Sequence, residues 1–134
     1  MANAIYPKYK EIILGAATNA NLLTGTVRAA LVDTGTYTYN AAHEFLTSLT
    51  GVVGTAQTIG ATKSVTNGLF DGGDVTYTAV TGNSAEAIVI YIDTGVAGTS
   101  RLVAYIDTGV TGLPVTPNGG DISIQWNASG IFQL

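Results

Sequence analysis

Apolar and polar positions alternate most cleanly in the second half of the chain. In Asp-Val-Thr-Tyr-Thr-Ala-Val, residues 74–80, Val75, Tyr77 and Ala79 share one face while Thr76, Thr78 and Val80 share the other, the period-2 pattern of a half-buried strand. Ile122, Ile124 and Trp126 alternate in the same way with Asp121, Ser123 and Gln125, and residues 131–134 are placed to finish a sheet. Between them, residues 85–92 and 102–106 are nearly all apolar, as strands covered on both faces are. The segment joining them, residues 93–101, carries Gly95 and Gly98 and predicts an antiparallel hairpin. Earlier in the chain, Val27, Ala29 and Leu31 share a face and Gly25 and Gly35 break the run, which predicts a strand over 26–32.

Two segments follow a helical period instead. Ile5, Tyr9, Ile12, Ile13 and Ala16 fall near helical spacing, with Pro7 in a first turn, so residues 5–17 predict a short N-terminal helix. In residues 40–49, Asn40 is a capping residue and Phe45, Leu46 and Leu49 form an apolar edge, which predicts a second short helix. The Gly- and Thr-rich stretch up to Gly73 offers strands at 56–61 and 63–66 in a weakly specified register. The expected fold is mainly β: an antiparallel β-sandwich or jelly-roll-like barrel with one or two short helices. Its 134 residues suit a single β-rich domain, with an arm or helix over 1–17.

Composition changes this picture in one respect. Asp, Glu, Lys and Arg make up only 10 % of residues, against about 25 % in an ordinary soluble domain. Either twenty threonines, with Ser, Asn and Gly, supply the polar surface, or much of the surface is not solvated at all. Surface charge keeps monomers apart, so so sparse a surface fits a chain that works inside an assembly. With a net charge of −4 and only Lys8, Lys10, Arg28, Lys63 and Arg101 as fixed cations, there is no basic stripe for nucleic acid. No apolar run approaches the roughly 20 residues of a membrane helix, and residues 1–10 lack the apolar stretch of a secretory signal. The chain is therefore expected to stay in the cytosol unless other machinery carries it out. Cysteine is absent, which removes disulfides and thiolate metal sites.

Candidate chemistry is thin. His43 is the only histidine, and no serine lies in a Gly-x-Ser-x-Gly elbow, so a packing or hydrogen-bonding role is expected for it. Tyr91-Ile-Asp-Thr-Gly-Val-Ala-Gly98 returns as Tyr105-Ile-Asp-Thr-Gly-Val-Thr-Gly112, with a shorter echo at Leu31-Val-Asp-Thr-Gly35. Asp33, Asp93 and Asp107 could be cation ligands. Calcium loops, however, gather several oxygens within one segment, and Asp-Thr-Gly more simply ends a strand, with Asp bonding its own backbone and Gly supplying positive φ. Asp71 and Asp74 bracket Gly72-Gly73 and are expected to form a turn, as is Gly119-Gly120. No catalytic residue, cofactor or metal site is expected. Most strand aromatics, among Tyr37, Tyr39, Tyr77, Tyr91, Tyr105 and Trp126, are expected in the core. Tyr6 and Tyr9, beside Lys8 and Lys10, are the candidates for contact with a neighbouring subunit.

The sequence also carries a resemblance. Ile5-Tyr-Pro-Lys-Tyr-Lys10, Gly25-Thr-Val-Arg-Ala-Ala-Leu-Val-Asp33, Ala42-His-Glu-Phe-Leu46, Val65-Thr-Asn-Gly-Leu-Phe-Asp71, Val89-Ile-Tyr-Ile-Asp93, Leu113-Pro-Val-Thr-Pro-Asn-Gly-Gly-Asp121 and Ile131-Phe-Gln-Leu134 together resemble small virion structural proteins of tailed bacteriophages, of the capsid decoration or cement type. The resemblance spans nearly the whole chain. It implies a non-enzymatic particle component made in the host cytoplasm and carried on the capsid surface. Its partner would be the major capsid protein, and it would self-associate as a dimer or trimer. A tail, fibre or adhesin module that binds a host-surface glycan is the second expectation.

Overall fold

The structure, a computed structural model, describes residues 3–60 and 62–134. Its centre is set by the continuous apolar run of the sequence. Strand β7 (Ala87–Asp93) is buried from Ala87 through Ile92, so neither face meets water. On one side it pairs antiparallel with β8 (Arg101–Ile106), and on the other with β2 (Thr26–Val32). Strand β1 (Ala4–Ile5) extends the sheet beyond β8, and β3 (Val52–Thr58) extends it beyond β2, giving the order β1-β8-β7-β2-β3. The residues joining β7 to β8 form the expected hairpin. Buried Ser100 closes it, accepting from the Thr94 N–H at 3.0 Å and donating to the Val96 carbonyl at 2.9 Å.

Two smaller sheets complete a mainly β, antiparallel, sandwich-like fold. One has the order β10-β5-β4, from β10 (Phe132–Gln133), β5 (Leu69–Asp71) and β4 (Ser64–Thr66). The other pairs β6 (Val75–Tyr77) with β9 (Ile122–Ile124). In this last pair Val75, Tyr77, Ile122 and Ile124 are buried while Thr76 and Ser123 are exposed, the alternation of a one-sided cover. Tyr77 anchors it to the large sheet by donating its hydroxyl to the Ala29 carbonyl at 2.8 Å. The N-terminal segment forms α1 (Pro7–Leu14), shorter than the predicted 5–17. Its buried residues Tyr9 and Ile12 hold it to the core, and Tyr9 donates to the Ala20 carbonyl at 2.8 Å.

Three expectations are corrected. Residues 40–49 form no α-helix; only a 3-10 turn, Leu46–Ser48, survives. Asn40 accepts from the Ala42 N–H at 2.8 Å in a local turn and caps no helix, and the chain then pairs with the start of β8. Phe45 bridges to Arg101, the Leu46 N–H donates to the Ser100 carbonyl, and the Leu102 N–H donates to the Glu44 carbonyl. These strand bonds displace the helical ones. Strand β3 begins four residues before the predicted 56, because its register with β2 shifts between Ala29 and Leu31, where Gly54 has a φ of +70°. A bulge of this kind breaks the period that a pattern must follow. The predicted end of that strand, Ala61, lies outside the described residues, as do Met1 and Ala2 of the predicted arm. Third, the strand predicted over 74–80 keeps only Val75–Tyr77, because Ala79 turns to a φ of +49° and donates its N–H to Asp121 Oδ1.

Ile90 lies in β7 with no exposed surface. Ile90→Ala is expected to lower stability by about 2–5 kcal/mol, the range for opening a cavity in a packed core, read as a lower denaturant midpoint. A loss below 1 kcal/mol would mean that β7 is not the packed centre.

Candidate interaction surface

Tyr6 and Tyr9 were the sequence candidates for subunit contact, and the structure turns both rings inward: Tyr6 is 0 % exposed and Tyr9 2 %. The Tyr6 and Tyr37 hydroxyls share a hydrogen bond of 2.7 Å, and the Tyr37 hydroxyl lies 2.8 Å from His43 Nδ1. Tyr39 packs between the Tyr6 and Tyr105 rings, with centroids 5.1 and 5.5 Å away. Burial, then the bond to Tyr37, holds the Tyr6 phenol far above the usual tyrosine range. Burial also pushes Tyr9 up to about 12. His43 is thus engaged with a tyrosine, and no serine hydroxyl is hydrogen-bonded to its ring among the described residues. Tyr37, Tyr77, Tyr91, Tyr105 and Trp126 are all buried, as expected, and Tyr39 partly so.

The Asp-Thr-Gly segments end strands, as expected. Asp33 Oδ1 accepts the Gly35 N–H, and Asp93 Oδ1 accepts the Gly95 N–H, each at 2.8 Å. Gly95 and Gly109 have positive φ; Gly35 does not need it. Hydrogen bonds from Gly35, Thr36 and Asn83 hold the Asp33 carboxyl below its usual range. The third segment differs: the N–H groups of Asp107 and Thr108 donate to Asn3 Oδ1, at 2.7 and 3.0 Å. The strand registers also keep the three apart. Pairing of Val32 with Ala87 and of Ile88 with Ile106 puts Asp33 and Asp107 at one end of the sheet, while pairing of Thr26 with Asp93 puts Asp93 at the other. No group of three or more His, Cys, Asp or Glu among the described residues is arranged to hold a metal ion. Asp71 accepts from the Gly72 N–H within its turn, whereas Asp74 accepts from the distant Trp126 N–H and ties the start of β6 to the chain beyond β9.

The cations are accounted for in the same way. Arg101 Nη1 sits 3.0 Å from Glu44 Oε1 with its guanidinium over Phe45, and Arg28 lies 3.5 Å from Asp93. Lys63 donates to the Leu22 and Gly25 carbonyls, and Lys8 pairs with Glu11 at 3.0 Å. Among the described residues, Lys10 alone of the cations makes no side-chain hydrogen bond or ion pair within the chain.

Lys10 stands at an apolar cleft. A hollow of about 320 Å³ is lined by Ile5, Lys10, Ile13, Leu14, Gln133 and Leu134. A second hollow, of about 240 Å³, lies between β1 and β10, and the two share Ile5 and Gln133. Leu14 is 89 % exposed and Leu134 56 %. Sequence reasoning missed Leu14, Gln133 and Leu134, although Ile12-Ile13-Leu14 carried a signal. Three consecutive apolar residues span too wide an arc for an eight-residue helix to bury together, so Ile12 goes in and Leu14 is left out.

Fold and surface together define a small antiparallel β protein with an open apolar hollow against α1, next to a more polar one between β1 and β10. No protein-family model and no curated protein matches the chain. No helix among the described residues is long and apolar enough to cross a membrane.

Two predictions follow from the tyrosine cluster. Tyr37→Phe leaves the buried Tyr6 hydroxyl without its partner and is expected to cost about 1–3 kcal/mol. Tyr37→Phe combined with Tyr6→Phe should cost less than the sum of the single changes, by chemical denaturation. Stability should also fall with rising alkalinity. The folded-state shifts of Tyr6 and Tyr9 are upward, so above about pH 10 the unfolded chain loses tyrosine protons that the folded chain keeps. The contribution of Tyr9 is full below about pH 10 and is gone above about 12. A flat stability profile from pH 9 to 12 would contradict it.

Proposed function

We propose that this chain is a non-enzymatic decoration, or cement, protein of a tailed-phage capsid, binding the outer surface of the major capsid shell and bridging neighbouring capsomers. The observation that carries the reading is the open apolar cleft of α1, β1 and β10 on a chain with few charges, most of which are engaged internally. Such a surface gains by being covered. Many equivalent weak contacts on a symmetric shell add up to strong attachment, and self-association as a dimer or trimer would raise the number of contacts per particle further. The likeness of the sequence to small virion structural proteins supplies the capsid.

The second reading, a tail, fibre or adhesin module for a host glycan, has less support. Sugar platforms expose aromatic faces, whereas the strand tyrosines and Trp126 are buried.

Electron microscopy of particles carrying the protein tests the proposal. Copies distributed over the shell are expected, and copies confined to the tail would overturn it. Particles stripped of the protein should release their contents at lower temperature than intact ones. Equal heat resistance would remove the cementing mechanism even for a protein located on the head.

A further inference from the structure

We propose that the cleft takes an extended, apolar segment of a partner virion protein, added as a strand between β1 and β10, with a carboxylate of that segment meeting Lys10. The inference rests on the assembly role proposed above and names the kind of partner segment that enters this site. Both walls of the cleft are sheet edges, since β1 ends the five-stranded sheet and β10 ends the three-stranded one. The Tyr6 N–H bonds to the Val103 carbonyl and Ile5 stands opposite Ala104. In an antiparallel ladder alternate residues face the partner strand, so Ile5 turns its N–H and C=O away from β8. By the same alternation, the bond from the Leu134 N–H to the Gly68 carbonyl and the pairing of Gln133 with Leu69 turn the Gln133 backbone away from β5. Ile5 and Gln133 are the two residues common to both hollows. A strand lying there would find backbone partners on both sides, the mode of recognition in which main-chain bonds give affinity and side-chain pockets give selectivity.

Charge selects the occupant. Ile5, Ile13, Leu14 and Leu134 favour apolar side chains, and Lys10, otherwise unengaged, favours an acid. A second copy related by a two-fold axis through the cleft would bring Lys10 against Lys10, and none of the side chains lining the cleft is acidic. A different chain bearing Asp or Glu fits where a second copy does not.

Photo-crosslinking in assembled particles tests the site. With Leu14→p-benzoylphenylalanine, an exposed position, irradiation should join residue 14 to a segment of another virion protein that contains Asp or Glu. Lys10→Glu should lower the number of copies per particle at least tenfold with an unchanged melting temperature, and Lys10→Arg should restore it. Adducts to a second copy, no adduct from particles that carry the protein, or full occupancy with Lys10→Glu would each overturn the inference. An adduct to a tail protein sinks the capsid reading and leaves the cleft standing. Should the protein prove absent from particles, nuclear magnetic resonance of the full chain with the synthetic peptide Val-Thr-Val-Asp-Val-Thr decides. Shifts at Ile5, Lys10 and Gln133 that vanish when Lys replaces Asp in the peptide support the cleft, and no shift at these residues refutes it.

Discussion

The structure depends on a strand with no face for water. From Ala87 to Ile92 every residue of β7 is buried, so its backbone groups must be paired on both edges and its side chains covered on both faces. Strands β8 and β2 supply the edges. The remaining elements act as covers and need only one apolar face each. This is why β6 and β9 alternate while β7 does not, and why α1, at eight residues, persists although a helix of that length is unstable alone. Tyr9 and Ile12, packed into the core, hold it in place.

A second constraint follows from the scarcity of charge. Buried polar groups are satisfied by hydroxyls in place of ions: Tyr77 on the Ala29 carbonyl, Ser100 in the β7 to β8 hairpin, and Tyr6 with Tyr37 and His43. Neutral bonds avoid the desolvation that buried ions incur. They also leave the exterior with few charges to keep other chains away, and the exposed Leu14 and Leu134 share their hollow with one charged side chain, Lys10.

What was legible in the sequence was what burial writes locally. The span of β2 and the hairpin of β7 and β8 were readable because two-sided burial leaves an unbroken apolar run, and Asp93 and Gly95 mark its end. Residues 40–49 were not, because the bonds that decide them come from Ser100 to Leu102, over fifty positions away. Nor was the true start of β3, hidden by its shift of register at Gly54. Tyr6 and Tyr9 looked outward-facing beside lysines, yet helical spacing sets Tyr9 with Ile12 on the buried face, and only Lys8 and Lys10 remain outside. The cleft needed the topology: no local pattern reveals that residue 5 and residue 133, on edge strands of different sheets, line one hollow.

Open edges are hazardous, since an unpaired strand invites any other strand. Natural sheets limit this by shortening the edge and by placing lysine near it, and both measures are present here: β1 and β10 have two residues each, and Lys10 borders the gap between them. A lysine that only blocked pairing would repel or hydrate every comer alike. In a cleft otherwise lined by Ile5, Ile13, Leu14, Gln133 and Leu134, the same charge discriminates, because an approaching lysine of a second copy is repelled while an approaching carboxylate is drawn in as water leaves. Protection against self-pairing and selection of a partner are therefore one electrostatic effect, and it holds only while no internal acid neutralises Lys10. Glu11, the adjacent acid in sequence, is held by Lys8 at 3.0 Å and leaves Lys10 free to act on whatever enters.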